Sequence, residues 1–222
     1  MKKFILTSLV SLLSVSTVYA ADNSGVYVSG KIGSSIVNTH GMKYNYAGND
    51  SKSSSKSKGV FGGGVAVGYD FYSQYQFPVR VEIASTFRGS SKSVGGADNG
   101  SISTRNKVRM DTYMVNGYYD FHNQSAFTPY LTAGVGVADI KLKNSFESGS
   151  QSGNSSDSNT NFAWDVGLGV KYAVTTNIAI DASYVYTDGG KSHTSNSYGG
   201  DEYRTRVKSS SNDIMLGVSY MF

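Results

Sequence analysis

Eight runs of ten or more residues, in which apolar and polar side chains alternate with a period of two, constrain this chain more than any other feature. They cover residues 25–38, 59–72, 78–88, 104–121, 129–140, 161–174, 178–187 and 211–222. Period two marks a strand with two chemically different faces. Soluble strands usually hold about five or six residues, whereas a tilted strand needs about 9–11 to cross a bilayer. The connections alternate as well. Residues 39–58, 89–103, 141–160 and 188–210 are long and rich in Ser, Gly, Asn and Lys, while 73–77, 122–128 and 175–177 hold seven residues or fewer. One end of the sheet therefore carries everything variable. Composition agrees, because 26 Gly and 17 Tyr against 2 Pro favour strands and turns over helices.

Sorting the strands by parity separates their chemistry. One face reads Phe61, Val65, Val67, Tyr69 and Phe71, then Val79, Val81, Ile83 and Phe87, then Phe162 through Tyr172 and Ile214 through Phe222 at alternate positions. The other carries Asp70, Arg80, Glu82, Asp165, Lys171, Asp181 and Asp213 among small residues. A soluble sandwich would turn the apolar face inward, and that is the alternative. Lipid is favoured by strand length and by the aromatic ends Tyr69/Phe71, Tyr119/Phe121, Tyr172 and Tyr220/Phe222, which form an interfacial girdle. Only Arg109, Asp111 and Asp139 put charge on the apolar face, at outer strand ends. An even strand number lets the sheet close without edges. The expectation is all-β: a closed eight-stranded antiparallel transmembrane β-barrel with four long extracellular loops.

The first twenty residues read as an address. Lys2 and Lys3 precede a mostly apolar stretch that ends in Val18-Tyr19-Ala20, as in a secretory signal peptide. Residues 1–20 are thus expected to be removed, leaving 21–222 as the barrel domain. The absence of Cys excludes disulfides, thiolate metal sites and cysteine catalysis.

The final ten residues, DIMLGVSYMF, resemble the terminal signature of Gram-negative outer-membrane proteins. The resemblance implies that Tyr220 and Phe222 are read by the barrel-assembly machinery. The segments MVNGYYDF (114–121), PYLTAGVGVA (129–138) and FAWDVGLGVKYAVTTNIAIDASYVYTD (162–188) resemble opacity-type surface proteins and related small OmpA/OmpX-like barrels. That likeness spans nearly all eight strands. Within the group, the basic loops and the size resemble the heat-resistant agglutinin, Tia and Hek type of invasin, which implies attachment to heparan-sulfate-like glycans.

Chemistry inside the barrel is expected to be structural. An eight-stranded barrel is narrow enough for side chains to fill, and Arg80, Lys171 and Lys31 are available to pair with Glu82, Asp70, Asp120, Asp165, Asp181 and Asp213. The site residues singled out as lumen ion pairs are Arg80, Glu82, Lys171 and Asp181. A narrow solute path is the competing possibility, kept open by Gly62, Gly64, Gly134, Gly136, Gly167 and Gly169. Enzymatic readings are thin with only three histidines. His193, Ser195 and Asn196, with Glu202 nearby, superficially resemble the His-x-Ser-Asn of lipid A deacylase barrels, with Ser as nucleophile, His as base and Glu as its orienter. In a Ser-rich loop such a triplet arises by chance, and nothing there would hold the geometry. No cofactor, metal cluster or nucleic-acid motif is expected.

Charge is more informative. The four long connections, the last counted to residue 208, hold eleven basic and seven acidic side chains, and Arg88, Arg105, Lys107 and Arg109 adjoin them. The remaining chain beyond residue 20 has three basic against nine acidic residues. Positive charge gathers at the cell-surface end, where a rim of Lys and Arg neutralises lipopolysaccharide phosphates. In the first loop Lys43, Lys52, Lys56 and Lys58 face only Asp50, with Tyr44 and Tyr46 beside them. A polycationic arm with aromatics suits sulfated or sialylated glycans. A solvated loop is the plain alternative. The reading is a monomeric outer-membrane adhesin or invasin whose partners are lipopolysaccharide, the assembly machinery and host sulfated glycans. A purely structural or defence-resistance barrel, or a narrow channel, is the alternative.

Overall fold

A computed structural model describes residues 25–46, 49–52, 56–97, 102–148, 151–198 and 201–222, with side chains described over 25–38, 57–90, 107, 109–141, 158–190 and 208–222. The expected signal segment lies outside the described residues.

Ten strands and one helical turn follow in order: β1 (Val26–Tyr46), β2 (Asn49–Lys52), β3 (Lys56–Asp70), α1 (Tyr72–Tyr75), β4 (Val79–Arg88), β5 (Ser91–Ala97), β6 (Ile102–Asp120), β7 (Phe127–Ser148), β8 (Gln151–Ala173), β9 (Ile178–Tyr198) and β10 (Asp201–Met221). Eight of them form one antiparallel sheet in the order β10-β9-β8-β7-β6-β4-β3-β1, and β10 pairs β1 to close it. Closure is what separates a barrel from the sandwich alternative, since it leaves no edge and turns one face wholly outward. The short strands β2 and β5 lie outside this circuit and pair with β1 and β6.

The four long connections are hairpins whose strands extend farther than the sequence suggested. Strands run through most of them, and β7 and β8 stay paired from Phe127↔Tyr172 to Ser148↔Gln151. Beyond the bilayer both faces of a hairpin meet water, so no apolar alternation marks it as strand. Backbone pairing with a neighbour continues regardless, because every N–H and C=O still needs a partner. At Gly190 the chain adopts φ +77° and its N–H bonds Asp188 Oδ1 at 2.9 Å. The β9–β10 register shifts beside it, between Lys208 and Ser210. A glycine in this left-handed conformation lets a bulge form there.

Burial confirms which face meets lipid. Phe61 is 70% exposed and Ile83 and Leu216 61%, whereas Arg80, Glu82 and Asp120 are buried. No helix among the described residues is long and apolar enough to cross a membrane; the strands do so instead. Aromatic pairs crowd the short-turn end, Tyr69–Phe71, Tyr119–Phe121, Phe127–Tyr172 and Tyr220–Phe222. A second belt, Phe87–Tyr113 and Trp164–Tyr186, marks the hairpin end. The sequence reading had not assigned that belt.

Candidate functional site

The barrel interior is a plug built around one arginine. Arg80, on β4, donates through Nε and Nη2 to both carboxylate oxygens of Asp120 on β6, at 2.6 and 2.9 Å. A guanidinium and a carboxylate joined by two parallel bonds hold geometry as well as charge. The same guanidinium lies 4.5 Å from the ring centroid of Tyr118, 5.1 Å from that of Tyr130 and 5.8 Å from that of Tyr27. Two of these tyrosines donate to Glu82, Tyr118 at 2.8 Å and Tyr27 at 3.1 Å, and Lys31 reaches it at 3.4 Å. The third, Tyr130, donates to Asp181 at 2.6 Å. Lys171 lies across the strand pair from Asp181, yet its ammonium sits 3.5 Å from Asp70 and 3.7 Å from Asp120.

The arrangement fills much of the lumen. Around it lie small spaces of about 60 Å³, lined by Lys31, Glu82, Asp165 and Asp213, of about 100 Å³, lined by Asp70, Arg80 and Lys171, and of about 10 Å³ beside Tyr27, Arg80 and Glu82. About 10–15 Å³ is needed to seat one water. The hollows left by lumen glycines are occupied rather than open. Gly68 and Gly169 lie opposite Tyr27 and Tyr130, and a Cβ on either would overlap the tyrosine ring.

Arg88 corrects the expected rim. It is buried, donating through Nε to Asp213 Oδ1 at 3.1 Å and through Nη1 to Thr112 at 3.1 Å. Its parity matches Arg80 and Glu82, a signal present in the sequence. Towards the hairpins an apolar cluster of Met110, Met114, Ala138, Ile140 and Ala163 packs together among buried Thr112, Thr187 and Ser211. Tyr27, Tyr118 and Tyr130 are lumen residues that sequence reasoning missed, although they too share the inward parity. Asp165 Oδ1 and Asn116 Oδ1 are buried without a protein donor.

Outside, beyond the upper aromatic belt, the charges on the apolar face neutralise one another. Arg109 pairs with Asp111 at 2.9 Å, Lys141 with Asp139 at 2.9 Å and Lys208 with Asp188 at 2.9 Å. Hydrogen bonds that Lys141 and Lys208 donate to the carboxylates of Asp139 and Asp188 hold both above the ordinary lysine pKa, so both stay charged. Asp111 also accepts the Arg88 backbone N–H at 3.2 Å, where β4 parts from β6.

At the first hairpin Lys43 stands opposite Lys52, Tyr44 opposite Ser51 and Tyr46 opposite Asn49, while Lys56 pairs with Thr39 and Lys58 with Val37. Lys58 is exposed and in register with an inward position, so the four lysines do not share one row. The side chains of Lys43, Tyr44, Tyr46, Lys52 and Lys56 lie outside the described residues, as do those of His193, Ser195, Asn196 and Glu202. Among the described residues no group of His, Cys, Asp and Glu is placed to hold a metal ion. At the other end, Tyr220 faces outward opposite Val28, and the Phe222 N–H bonds Val26 O at 3.0 Å.

The family model of the outer membrane protein beta-barrel domain matches residues 5–222. Outer membrane protein PagN of Salmonella typhimurium is 46% identical over 239 residues, covering 100% of both chains. The protein named "Putative adhesin RC1281" of Rickettsia conorii is 30% identical across 70% of this chain and 65% of its own length. Among solved structures, Neisserial surface protein A superposes with a TM-score of 0.51 at 21% identity, over 91% of this chain and 100% of that one. An outward apolar barrel wall, two aromatic belts and these matches lead to one conclusion: the chain belongs to the outer-membrane β-barrel family, in the outer membrane of a Gram-negative bacterium with its long hairpins at the cell surface.

Proposed function

We propose that this barrel is an adhesin of the invasin type, which holds sulfated or other anionic glycans on its basic extracellular hairpins. The observation that carries the reading is a contrast in charge. Lumen cations are consumed by buried carboxylates, while the connections at the surface hold eleven basic side chains against seven acidic ones. The relative in Rickettsia conorii named for adhesion supports the same class of activity. A lumen filled by Arg80, Asp120, Glu82 and three tyrosines argues against a channel. The barrel acts as a monomer in contact with lipopolysaccharide, inserted by assembly machinery that reads Tyr220 and Phe222.

Retention of whole cells on heparin beads, with and without the protein, tests the reading. Binding should require the protein, fall as salt rises, and weaken strongly when Lys43, Lys52, Lys56 and Lys58 are all replaced by Gln. A purely structural barrel is the competing reading, favoured by the self-neutralised pairs Arg109–Asp111, Lys141–Asp139 and Lys208–Asp188. Equal retention of cells with and without the protein would establish it.

A further inference from the structure

Strand register gathers the surface cations into lines. Lys43 on β1 lies opposite Lys52 on one side and opposite Arg206 of β10 on the other, and Arg206 in turn lies opposite His193 of β9. Four adjacent strands thus place Lys52, Lys43, Arg206 and His193 in one transverse row. Side chains alternate between faces along a strand, so the next row on the same face lies two residues away and holds Asp50, Asn45, Arg204 and Ser195, one acid and one further cation. Elsewhere around the mouth, Lys92 of β5, Lys107 of β6 and Lys143 of β7 stand opposite one another in a second row.

Directly opposed residues in an antiparallel pair have their Cβ atoms only about 4.5–5.5 Å apart, and like charges there are unfavourable. Nearer the aromatic belt Arg109 also stands opposite Lys141 and Lys208 opposite Lys191, and there Arg109, Lys141 and Lys208 each pair with an acid, Asp111, Asp139 and Asp188. In the two rows the directly opposed residues are cations and His193.

We infer that these rows are tracks for a linear polyanion, a sulfated polysaccharide that lies across the strands and meets one cation per strand. The inference rests on the adhesin reading above and locates its site. At about 4.8 Å per strand, the four-strand row extends about 14 Å, the length of several sugars. A chain carrying acidic groups on successive sugars matches a row of evenly spaced cations better than an isolated phosphate does. The rows also lie farther from the aromatic belt than the neutralised pairs, so lipid headgroups meet those pairs first.

The test uses the full-length barrel in detergent micelles free of lipopolysaccharide, with affinity for heparin and its salt dependence as readouts. Three double variants remove the same charge. Lys43→Gln/Arg206→Gln interrupts the first row and Lys107→Gln/Lys143→Gln the second. Arg105→Gln/Arg204→Gln removes cations whose cross-strand partners are Val94 and Ser145, and Asn45 and Ser195. Each row variant should lose at least fivefold in affinity, with a shallower salt dependence, and the off-row variant less than twofold. Loss from one row variant alone keeps the proposal for that row and overturns it for the other. Equal losses in all three, or none in either row variant, overturn it, because net charge and not register would then govern binding. A parent barrel that does not bind heparin at all overturns the adhesin reading itself, a result distinct from the others. Unheated and boiled gel mobilities show that each variant is folded.

Discussion

The lumen and the hairpins carry the same kinds of charged residue under opposite rules. In the lumen each arginine meets a carboxylate through two bonds, Arg80 with Asp120 and Arg88 with Asp213. At the hairpins cations face cations across the strands. Burial explains the difference. A charge removed from water is tolerated only with a partner, whereas an exposed one is screened within about 8–10 Å by salt. Charge in the lumen therefore serves the barrel, whereas burial does not oblige charge on the hairpins to be paired.

The sharpest way to break that distinction is Arg80→Ala. Asp120 would keep only Lys171, at 3.7 Å, the rings of Tyr27 and Tyr130 would lose their cation, and Tyr118 would keep Lys31 at 5.6 Å. The expected cost is about 3–5 kcal/mol, read as unfolding at lower urea in detergent, with heparin affinity per folded molecule unchanged. A stable variant that no longer binds would reverse the roles assigned to the two regions. Deleting Phe222 addresses the barrel alone. Outer-membrane yield should fall several-fold while export continues, and equal yields would show that the terminal aromatic is not read.

Substitution within the first hairpin sharpens the comparison. Lys43→Gln/Lys52→Gln should weaken heparin binding more than Lys56→Gln/Lys58→Gln, because only the first pair stands in one row. Neither should change stability by more than about 0.5 kcal/mol. The smallest effect is expected for Asp165→Asn. Its Oδ1 has no donor, and an amide in its place can donate to Asn116 Oδ1, so stability should be unchanged or higher by about 1 kcal/mol. A loss of several kcal/mol would mean that Asp165 is paired in a way these contacts omit.

Parity in the eight central strands was enough to assign the lipid face, the lower aromatic belt and the inward position of Arg80, Glu82, Lys171 and Asp181, because side-chain direction in a strand depends only on residue count. It extended to Arg88, Tyr27, Tyr118 and Tyr130 as well, but a position at a strand end or a residue type suited to either medium obscured them. Partners were a different matter. Lys171 is in register with Asp181 yet reaches Asp70 and Asp120, and nothing local could have shown it, because these contacts cross the barrel between strands far apart in sequence. The hairpins were illegible for another reason: strands wetted on both faces lose the alternation that identifies strands. Their register, which sets Lys43 between Lys52 and Arg206, exists only once β10 has closed onto β1. Local chemistry determined which medium each side chain faces, and closure of the sheet decided which side chains face each other.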